Sequence, residues 1–274
     1  MLRLLWQELR LRHNAILLWG LGLCFFPIVY LGVYPQVAEE MQNLADLAIY
    51  QAMGVSLGSL EDWIGSVLIL FVPLVLSIYA IVNATGTLAG EEEDGRLEMI
   101  VTLPLPRWQI VAAKALALSI ATFAILLIVS LVTGGVFLMI EGQVETDLTA
   151  LDLIRAVIAT WPFVFAVGML SLFLAVFTPR RRIASAVGIA ILLVSYLGNN
   201  LSNTVSSVES VQPLFLFNYL DYTGAAVTDG QPADGIITLA LIGLISFGLA
   251  VFFFQKRKLT VSMWPWQRGN VPVS

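Results

Sequence analysis

The chain has 274 residues, of which 58% are apolar and only 12% are charged, and its formal net charge is −5. Soluble domains carry about a quarter charged residues, so this composition excludes an ordinary soluble protein and predicts an all-α membrane protein. A protein without a basic face is not expected to bind nucleic acid. The single cysteine, Cys24, and the single histidine, His13, cannot supply a disulfide framework or a zinc site.

Residues 1–14 have a helical period, with Leu2 and Trp6 on one face and Arg3 and Arg10 on another. A basic amphipathic helix of this kind lies in the plane of the lipid headgroups, and the pattern therefore predicts an N-terminal interfacial helix. The alternative is a positively charged flank that only orients the first span.

Six segments approach or exceed the length of about 20 residues that a membrane-spanning helix needs. They are residues 15–35, 64–89, 110–140, 156–177, 183–203 and 235–254. The third is longer than a bilayer requires, so it is expected to tilt or to protrude. The simplest interpretation is one transmembrane domain over residues 1–274.

The basic residues give the orientation, because cytoplasmic loops carry an excess of lysine and arginine. With six spans and both termini on one side, 13 of the 14 basic residues lie on that side, and Arg155 is the exception. This pattern predicts a multi-pass protein of the cell membrane with both termini in the cytoplasm. It also places residues 90–108 in the cytoplasm.

Polar residues at membrane depth are few. Asn83, Asn199, Asn200 and Asn203 are candidates for a translocation path, although hydrogen bonding between helices is the favoured alternative. Gly86 and Gly90 have the spacing that permits close helix packing. Arg180–Arg182 is interpreted as a topological stop that contacts lipid, in preference to a second contact with a partner protein.

Residues 204–234 form a long outer loop that contains the aromatic run PLFLFNYLDY. This run is too short to span a bilayer. It is either an interfacial or re-entrant segment or part of an ordinary aromatic belt, and the sequence leaves both open.

Two kinds of enzyme are disfavoured by missing residues. A P-loop needs a lysine after a glycine, and none of Lys114, Lys256 and Lys258 follows one. The run from Glu91 to Arg96 is similar to the Glu-Glu-x-Arg signature of intramembrane proteases, but that chemistry also needs histidines on later spans. We therefore expect no catalytic residue and no metal ligand in this chain.

The stretch from Gly90 to Leu116 reads GEEEDGRLEMIVTLPLPRWQIVAAKAL. It resembles the cytoplasmic signature of the permease subunits of type-2 ABC exporters, and most closely the small six-span subgroup that includes the nitrous-oxide-reductase maturation permease. Pro106 departs from the serine or glycine that is common before the arginine. The positions that carry the resemblance are Glu91, Glu92, Glu93, Gly95, Leu97, Glu98, Pro104, Arg107, Ile110 and Lys114.

The resemblance implies a half-transporter, with a coupling helix at Asp94–Leu103 that docks on a separate ATP-binding subunit. Two ATPase subunits, which hold the ATP and magnesium, would serve two permease copies, identical or paralogous, while this chain binds no cofactor. ATP hydrolysis would then drive alternating access and export. The apolar spans fit a hydrophobic or amphiphilic cargo, but the sequence does not identify the transported substrate. The implied coupling residues are Glu91, Glu92, Glu93, Asp94, Gly95, Leu97, Glu98, Met99, Ile100, Leu103, Pro104, Arg107 and Lys114.

Two other functions are weighed against this one. The first is a membrane enzyme of the protease type, which the missing histidines disfavour. The second is a membrane scaffold or immunity-type protein that transports nothing.

Overall fold

The computed structural model describes residues 1–44, 59–91, 106–144, 146–178 and 180–256, and every regular element within these ranges is a helix. The α-helices are Leu2–Leu23, Gly32–Leu44, Leu60–Ile64, Leu70–Thr85, Arg107–Ile140, Ala150–Ile158, Trp161–Phe177, Arg181–Thr204, Ala225–Thr228 and Ala233–Lys256. Wider π-helical turns occur at Pro27–Leu31, Gly65–Ile69 and Gly86–Gly90. Tighter 3₁₀ turns occur at Glu141–Gln143, Ser206–Leu214 and Leu216–Tyr219.

The predicted all-α architecture with six membrane-spanning helices is confirmed. Within the described ranges, six helical stretches are long and apolar enough to cross a membrane, and we number them spans 1 to 6. They are Leu2–Ala38, Leu60–Gly90, Arg107–Gln143, Ala150–Phe177, Arg181–Thr204 and Ala233–Lys256. Residues 2–23 form one continuous helix. The segment predicted as an interfacial helix, residues 1–14, is therefore continuous with the apolar part of span 1.

Spans 2 and 4 form the centre of the bundle. Span 4 contacts spans 2, 3, 5 and 6, whereas span 1 packs along span 3. The most apolar part of span 2 is 78% buried inside the protein, against 22% for span 6. Span 6 therefore presents apolar side chains such as Leu244 and Phe252 outward, as expected for a helix that faces lipid.

Wide turns accompany prolines in spans 1 and 2. Proline has no N–H to donate and its ring crowds the carbonyl four residues earlier. Pro73 lies four residues after Ile69, where the wide turn Gly65–Ile69 ends, and Pro27 begins the wide turn Pro27–Leu31. Local π geometry is one of the adjustments by which membrane helices accommodate proline.

The two ends of the bundle differ in how they are held. We call the end where span 2 finishes and span 3 begins the near end, and the opposite end the far end. At the far end, Ser59 Oγ accepts from the N–H of Asp62 at 3.2 Å and caps span 2. The Asp62 carboxylate in turn accepts from the Gly224 N–H at 3.1 Å, and Glu61 accepts from the Thr146 hydroxyl at 2.8 Å. These bonds join the loop between spans 3 and 4 and the loop between spans 5 and 6 to span 2.

The aromatic run after span 5 folds against the helices. Phe217 is 1% exposed, and its ring lies 4.6 Å from that of Phe163 in span 4 and 5.4 Å from that of Tyr196 in span 5. The Phe217 N–H donates to Ser195 Oγ at 3.1 Å. Packing and a hydrogen bond thus fix this loop to spans 4 and 5.

Gly65 lies where the far-end loop touches span 2, and we expect that any side chain there is costly. A Cβ at this position would lie 2.5 Å from the Tyr222 carbonyl oxygen and 2.7 Å from that of Thr223. Gly65→Ala should therefore destabilise the protein by about 1–3 kcal/mol, the usual cost of overpacking. Denaturant unfolding of the purified protein measures this change.

Gly22→Ala is the matched control, because a Cβ at Gly22 would meet nothing within 4 Å. This substitution should be neutral or slightly stabilising, since alanine favours a helix over glycine. Equal unfolding curves for the two variants would contradict the close approach at Gly65.

Candidate functional site

A cluster of buried charges lies at the near end, where spans 1, 2 and 3 meet. We use the name charge cluster for Glu8, Arg12, Asn83, Glu91 and Lys114. Glu8 and Arg12 are four residues apart on the first helix and so share one of its faces. Glu91 directly follows the last turn of span 2, and Lys114 lies two turns into span 3.

Lys114 holds the cluster together. Its Nζ donates to Glu8 Oε1 at 2.8 Å and to Glu91 Oε1 at 2.7 Å. The lysine is 1% exposed and Glu8 is 8% exposed. Because buried ions are tolerated when they are paired and hydrogen-bonded, these two contacts fix the ends of three spans relative to one another.

Arg12 extends the cluster along the first helix. Its Nη2 donates to Glu8 Oε2 at 3.4 Å, and its Nη1 donates to Asn83 Oδ1 at 3.3 Å. Asn83 in turn donates from Nδ2 to the Tyr79 carbonyl oxygen at 3.0 Å. The charges in the cluster balance, with two carboxylates against one ammonium and one guanidinium.

Glu91 is the member of the cluster closest to the acidic run in the sequence. Its Oε1 accepts from Lys114, whereas its Oε2 is buried and has no hydrogen-bond partner within the described part of the chain. Burial raises the pKa of the Glu91 carboxyl, and the neighbouring Lys114 ammonium opposes this shift. Glu91 therefore makes one strong ionic contact through Oε1, while Oε2 accepts no hydrogen bond from the described residues. The acidic run of the sequence continues directly after it, at residue 92.

Span 5 also reaches the near end. A Cβ added to Gly86 would lie 3.3 Å from Arg181 Cζ, and one added to Gly90 would lie 3.2 Å from Arg181 Cδ. The two glycines thus make room for the Arg181 side chain. The start of span 5 is in this way packed against the last turn of span 2, beside Glu91.

The structure describes some of the predicted coupling residues. Glu91 and Lys114 are in contact, and Arg107 begins the helix of span 3. The other coupling residues lie outside the described residues: Glu92, Glu93, Asp94, Gly95, Leu97, Glu98, Met99, Ile100, Leu103 and Pro104. Their coupling role stays a prediction.

The four asparagines proposed for a translocation path do not lie together. Asn83 belongs to the charge cluster at the near end, where Arg181 also lies. Asn199 is 18 residues after Arg181 on one helix, which places it about 27 Å away along the axis. At that far end Tyr222 Oη accepts from Asn199 and donates to Asn200, and Asn203 accepts from Gln212.

Glu8 and Arg12 are the functional candidates that sequence reasoning missed. Two signals were available in the sequence. Opposite charges four residues apart interact on one helix face, and a lysine inside an apolar span requires a partner. Neither signal says that the partner of Lys114 lies 106 residues earlier in the chain, because a contact between distant segments depends on how the helices pack.

We expect Lys114→Met to destabilise the protein by about 3–5 kcal/mol, because loss of one partner leaves buried charge uncompensated. The double variant Glu91→Gln, Lys114→Met should regain much of this loss, because Glu8 and Arg12 then remain as a neutral pair. Unfolding in detergent of the purified variants tests both expectations. Arg155→Met, which removes an exposed cation, is the control, and a Lys114→Met variant as stable as that control would contradict the paired cluster.

A comparison with curated proteins gave no match. The family model described as ABC-2 family transporter protein matches residues 2–259, which is nearly the whole chain and includes all six spans. Members of this family are transmembrane permease subunits without a catalytic site of their own, and they generally work with a cytoplasmic ATPase subunit. The chain belongs to the ABC-2 family of transporter proteins, as a multi-pass membrane permease.

Proposed function

We propose that this permease is the membrane half of an ATP-driven exporter, and that a separate ATPase subunit drives it by pushing on residues 92–105. One observation carries the proposal. The segment begins directly after Glu91, and Glu91 is bound through Lys114 to Glu8. A displacement of the segment would therefore act on spans 1, 2 and 3 together.

The physics of the contacts favours such transmission. A charge-assisted hydrogen bond is roughly twice as strong as a neutral one, and the Lys114 contacts are screened little because the lysine is buried. Packed helix ends joined in this way move as a unit more readily than they deform. The contacts at the near end would therefore transmit a displacement of residues 92–105 to spans 1, 2 and 3.

The proposed assembly has two permease copies and two ATPase subunits. ATP and magnesium would bind in the ATPase subunits, and this chain supplies the docking segment and the path through the membrane. The permease copies are identical or paralogous, and alternating access moves a hydrophobic or amphiphilic cargo outward. Placement near the nitrous-oxide-reductase maturation permeases is also proposed, on the strength of the GEEE run, the Thr-x-Pro-Leu turn and Lys114.

The distribution of basic residues supports an orientation in which the near end faces the cytoplasm. Arg3, Arg107 and Arg181 belong to that end, whereas Asp62 and Asp221 belong to the far end. We therefore propose that both termini are cytoplasmic. In this orientation the charge cluster lies beside the ATPase and the far-end loops face outward.

The docking role of the segment is tested by Leu97→Asp. We propose that Leu97, Met99, Ile100 and Leu103 form the apolar surface that docks on the ATPase, and this substitution places a charge on it. We expect the purified variant to lose the co-purifying ATPase, seen as loss of vanadate-sensitive ATP hydrolysis and of a P-loop polypeptide in the mass spectrum. Leu214→Asp makes the same change at a residue that is 80% exposed at the far end, and it should retain both. A Leu97→Asp variant that keeps its ATPase would exclude this docking site, and a wild-type chain that never binds an ATPase would favour a non-transporting scaffold.

The orientation is tested by cysteine labelling in a Cys24→Ala background, which is free of other cysteines because the chain has a single one. With a membrane-impermeant maleimide on intact cells, Asn218→Cys should react, and Asp94→Cys should react only after the membrane is opened. The reverse pattern would place the charge cluster on the outer side and would contradict the proposed ATPase contact.

A further inference from the structure

A cavity of about 590 Å³ opens at the far end, between the end of span 5, the loop that follows it and the start of span 6. Small-molecule sites usually have volumes of about 300–1,000 Å³, so the space suits a small ligand or one headgroup. It is separate from the charge cluster, which lies at the near end.

The lining is polar and carries negative charge, and its amide groups both donate and accept hydrogen bonds. It carries four carboxamide and two carboxylate side chains, namely Asn199, Asn203, Gln212, Asn218, Asp221 and Asp234. None of the lysine, arginine or histidine residues in the described ranges lines it. A ligand inside therefore meets acceptor oxygens and two negative charges that no cationic side chain of the lining offsets.

Asn199, which lines the cavity, has a side-chain oxygen that accepts no hydrogen bond from the described residues. The residue is 3% exposed, and its Nδ2 donates to Tyr222 Oη at 3.3 Å. The Tyr222 hydroxyl donates onward to Asn200 Oδ1 at 2.9 Å. Burial raises the pKa of Tyr222, so at neutral pH the hydroxyl keeps the proton that it donates to Asn200. The Tyr222 hydroxyl is therefore already engaged with both amides.

The remaining acceptor of this amide has no donor. Asn199 Oδ1 is buried and lacks a hydrogen-bond partner throughout the described residues. A buried polar atom left unpaired destabilises the folded protein, because it has lost its hydrogen bonds to water. Asn199 also lines the cavity, so a turn of its side chain that brings this oxygen to a ligand's N–H or O–H would remove that destabilisation.

The two carboxylates have different surroundings. Asp221 Oδ1 already accepts from the N–H of Thr223 at 2.9 Å and from its hydroxyl at 2.7 Å. Asp234 lies in the first turn of the helix of span 6 and is exposed. Asp221 is thus part of the loop structure, and Asp234 is the acid that is suited to pair with a bound cation.

We propose that this cavity binds a primary ammonium group, which donates a hydrogen bond to Asn199 and is held by the charge of Asp234. A primary ammonium supplies three donors and a positive charge. The donors suit the unpaired oxygen of Asn199, and the charge suits the carboxylate of Asp234. The group belongs either to a small free amine or to the ethanolamine headgroup of a phospholipid. The proposal does not require that the permease be coupled to ATP.

The test is calorimetric titration of the full-length protein in phosphatidylcholine nanodiscs with ethanolamine. We expect ethanolamine to bind, and Asn199→Leu to raise its Kd by about ten- to a hundredfold, the effect of losing a charge-assisted hydrogen bond. Asp234→Asn should raise the Kd by about two- to fivefold, because water screens the charge of this exposed carboxylate. Asp234→Asn serves as the second variant because an exposed residue can be changed without disturbing the fold. Asp229→Asn, an exposed acid of the same loop that does not line the cavity, should bind ethanolamine as the wild type does.

Choline and glucose separate the proposed chemistry from its alternatives. Choline has the charge without N–H donors on its nitrogen, and glucose has donors without the charge, so both should bind at least tenfold more weakly than ethanolamine. Nanodiscs that contain phosphatidylethanolamine should weaken ethanolamine binding if the headgroup is the ligand and leave it unchanged if a free amine is. Absence of ethanolamine binding, equal binding of choline or glucose, or equal Kd values for Asp234→Asn and Asp229→Asn would overturn the proposal.

Discussion

The contact of one lysine with two carboxylates determines how the near end of this protein is built. Lys114 is placed in an apolar span, where an isolated ammonium is costly, and it is stable there because Glu8 and Glu91 approach it at 2.8 Å and 2.7 Å. Each carboxylate comes from a different span. The cost of burying the lysine therefore becomes a constraint on the helices, since spans 1 and 2 cannot leave span 3 without exposing unpaired charge to a medium of low polarity.

Among the described residues, the far end is held by hydrogen bonds and close packing instead of the buried ion pairs of the near end. Its loops are joined to span 2 by hydrogen bonds from Thr146 and from the Gly224 backbone, and by the close approach at Gly65. Both bonds are accepted by carboxylates, and hydrogen bonds to charged groups contribute about 1.5–3 kcal/mol each. Because each bond joins a separate loop, the loops can adjust one contact at a time. In the proposed orientation, the ionic end receives the force and the hydrogen-bonded end, with its cavity, faces the outside.

Much of the architecture was predictable from the sequence because hydropathy and span length report it directly. Six apolar runs gave six helical spans. Hydropathy does not report which helices touch, so the pairing of Lys114 with Glu8 was missed although Lys114 itself was singled out. The same limit applies to Gly86 and Gly90. Their spacing predicted close packing, but only the tertiary structure brings in the side chain of Arg181.

The four asparagines show why the sequence alone could not predict which polar residues lie together. They were grouped because each is polar at membrane depth, which is a statement about position along the membrane normal. Asn83 and Asn199 in fact lie at opposite ends, with different partners. Composition and periodicity cannot separate an amide that bonds to an ion pair, such as Asn83, from one that lines a cavity, such as Asn199, because both are isolated polar residues in an apolar helix.

The wide turn Gly86–Gly90 fixes the angular position of Glu91. Each residue of an α-helix advances the chain by about 100° around the axis, and a π-helical turn holds one residue more than an α-helical turn. That extra residue rotates everything after it. If Gly86–Gly90 were α-helical, the Glu91 side chain would point about a quarter of a turn away around the helix axis and could not reach Lys114. The one extra residue in this turn of span 2 therefore makes the ion pair possible.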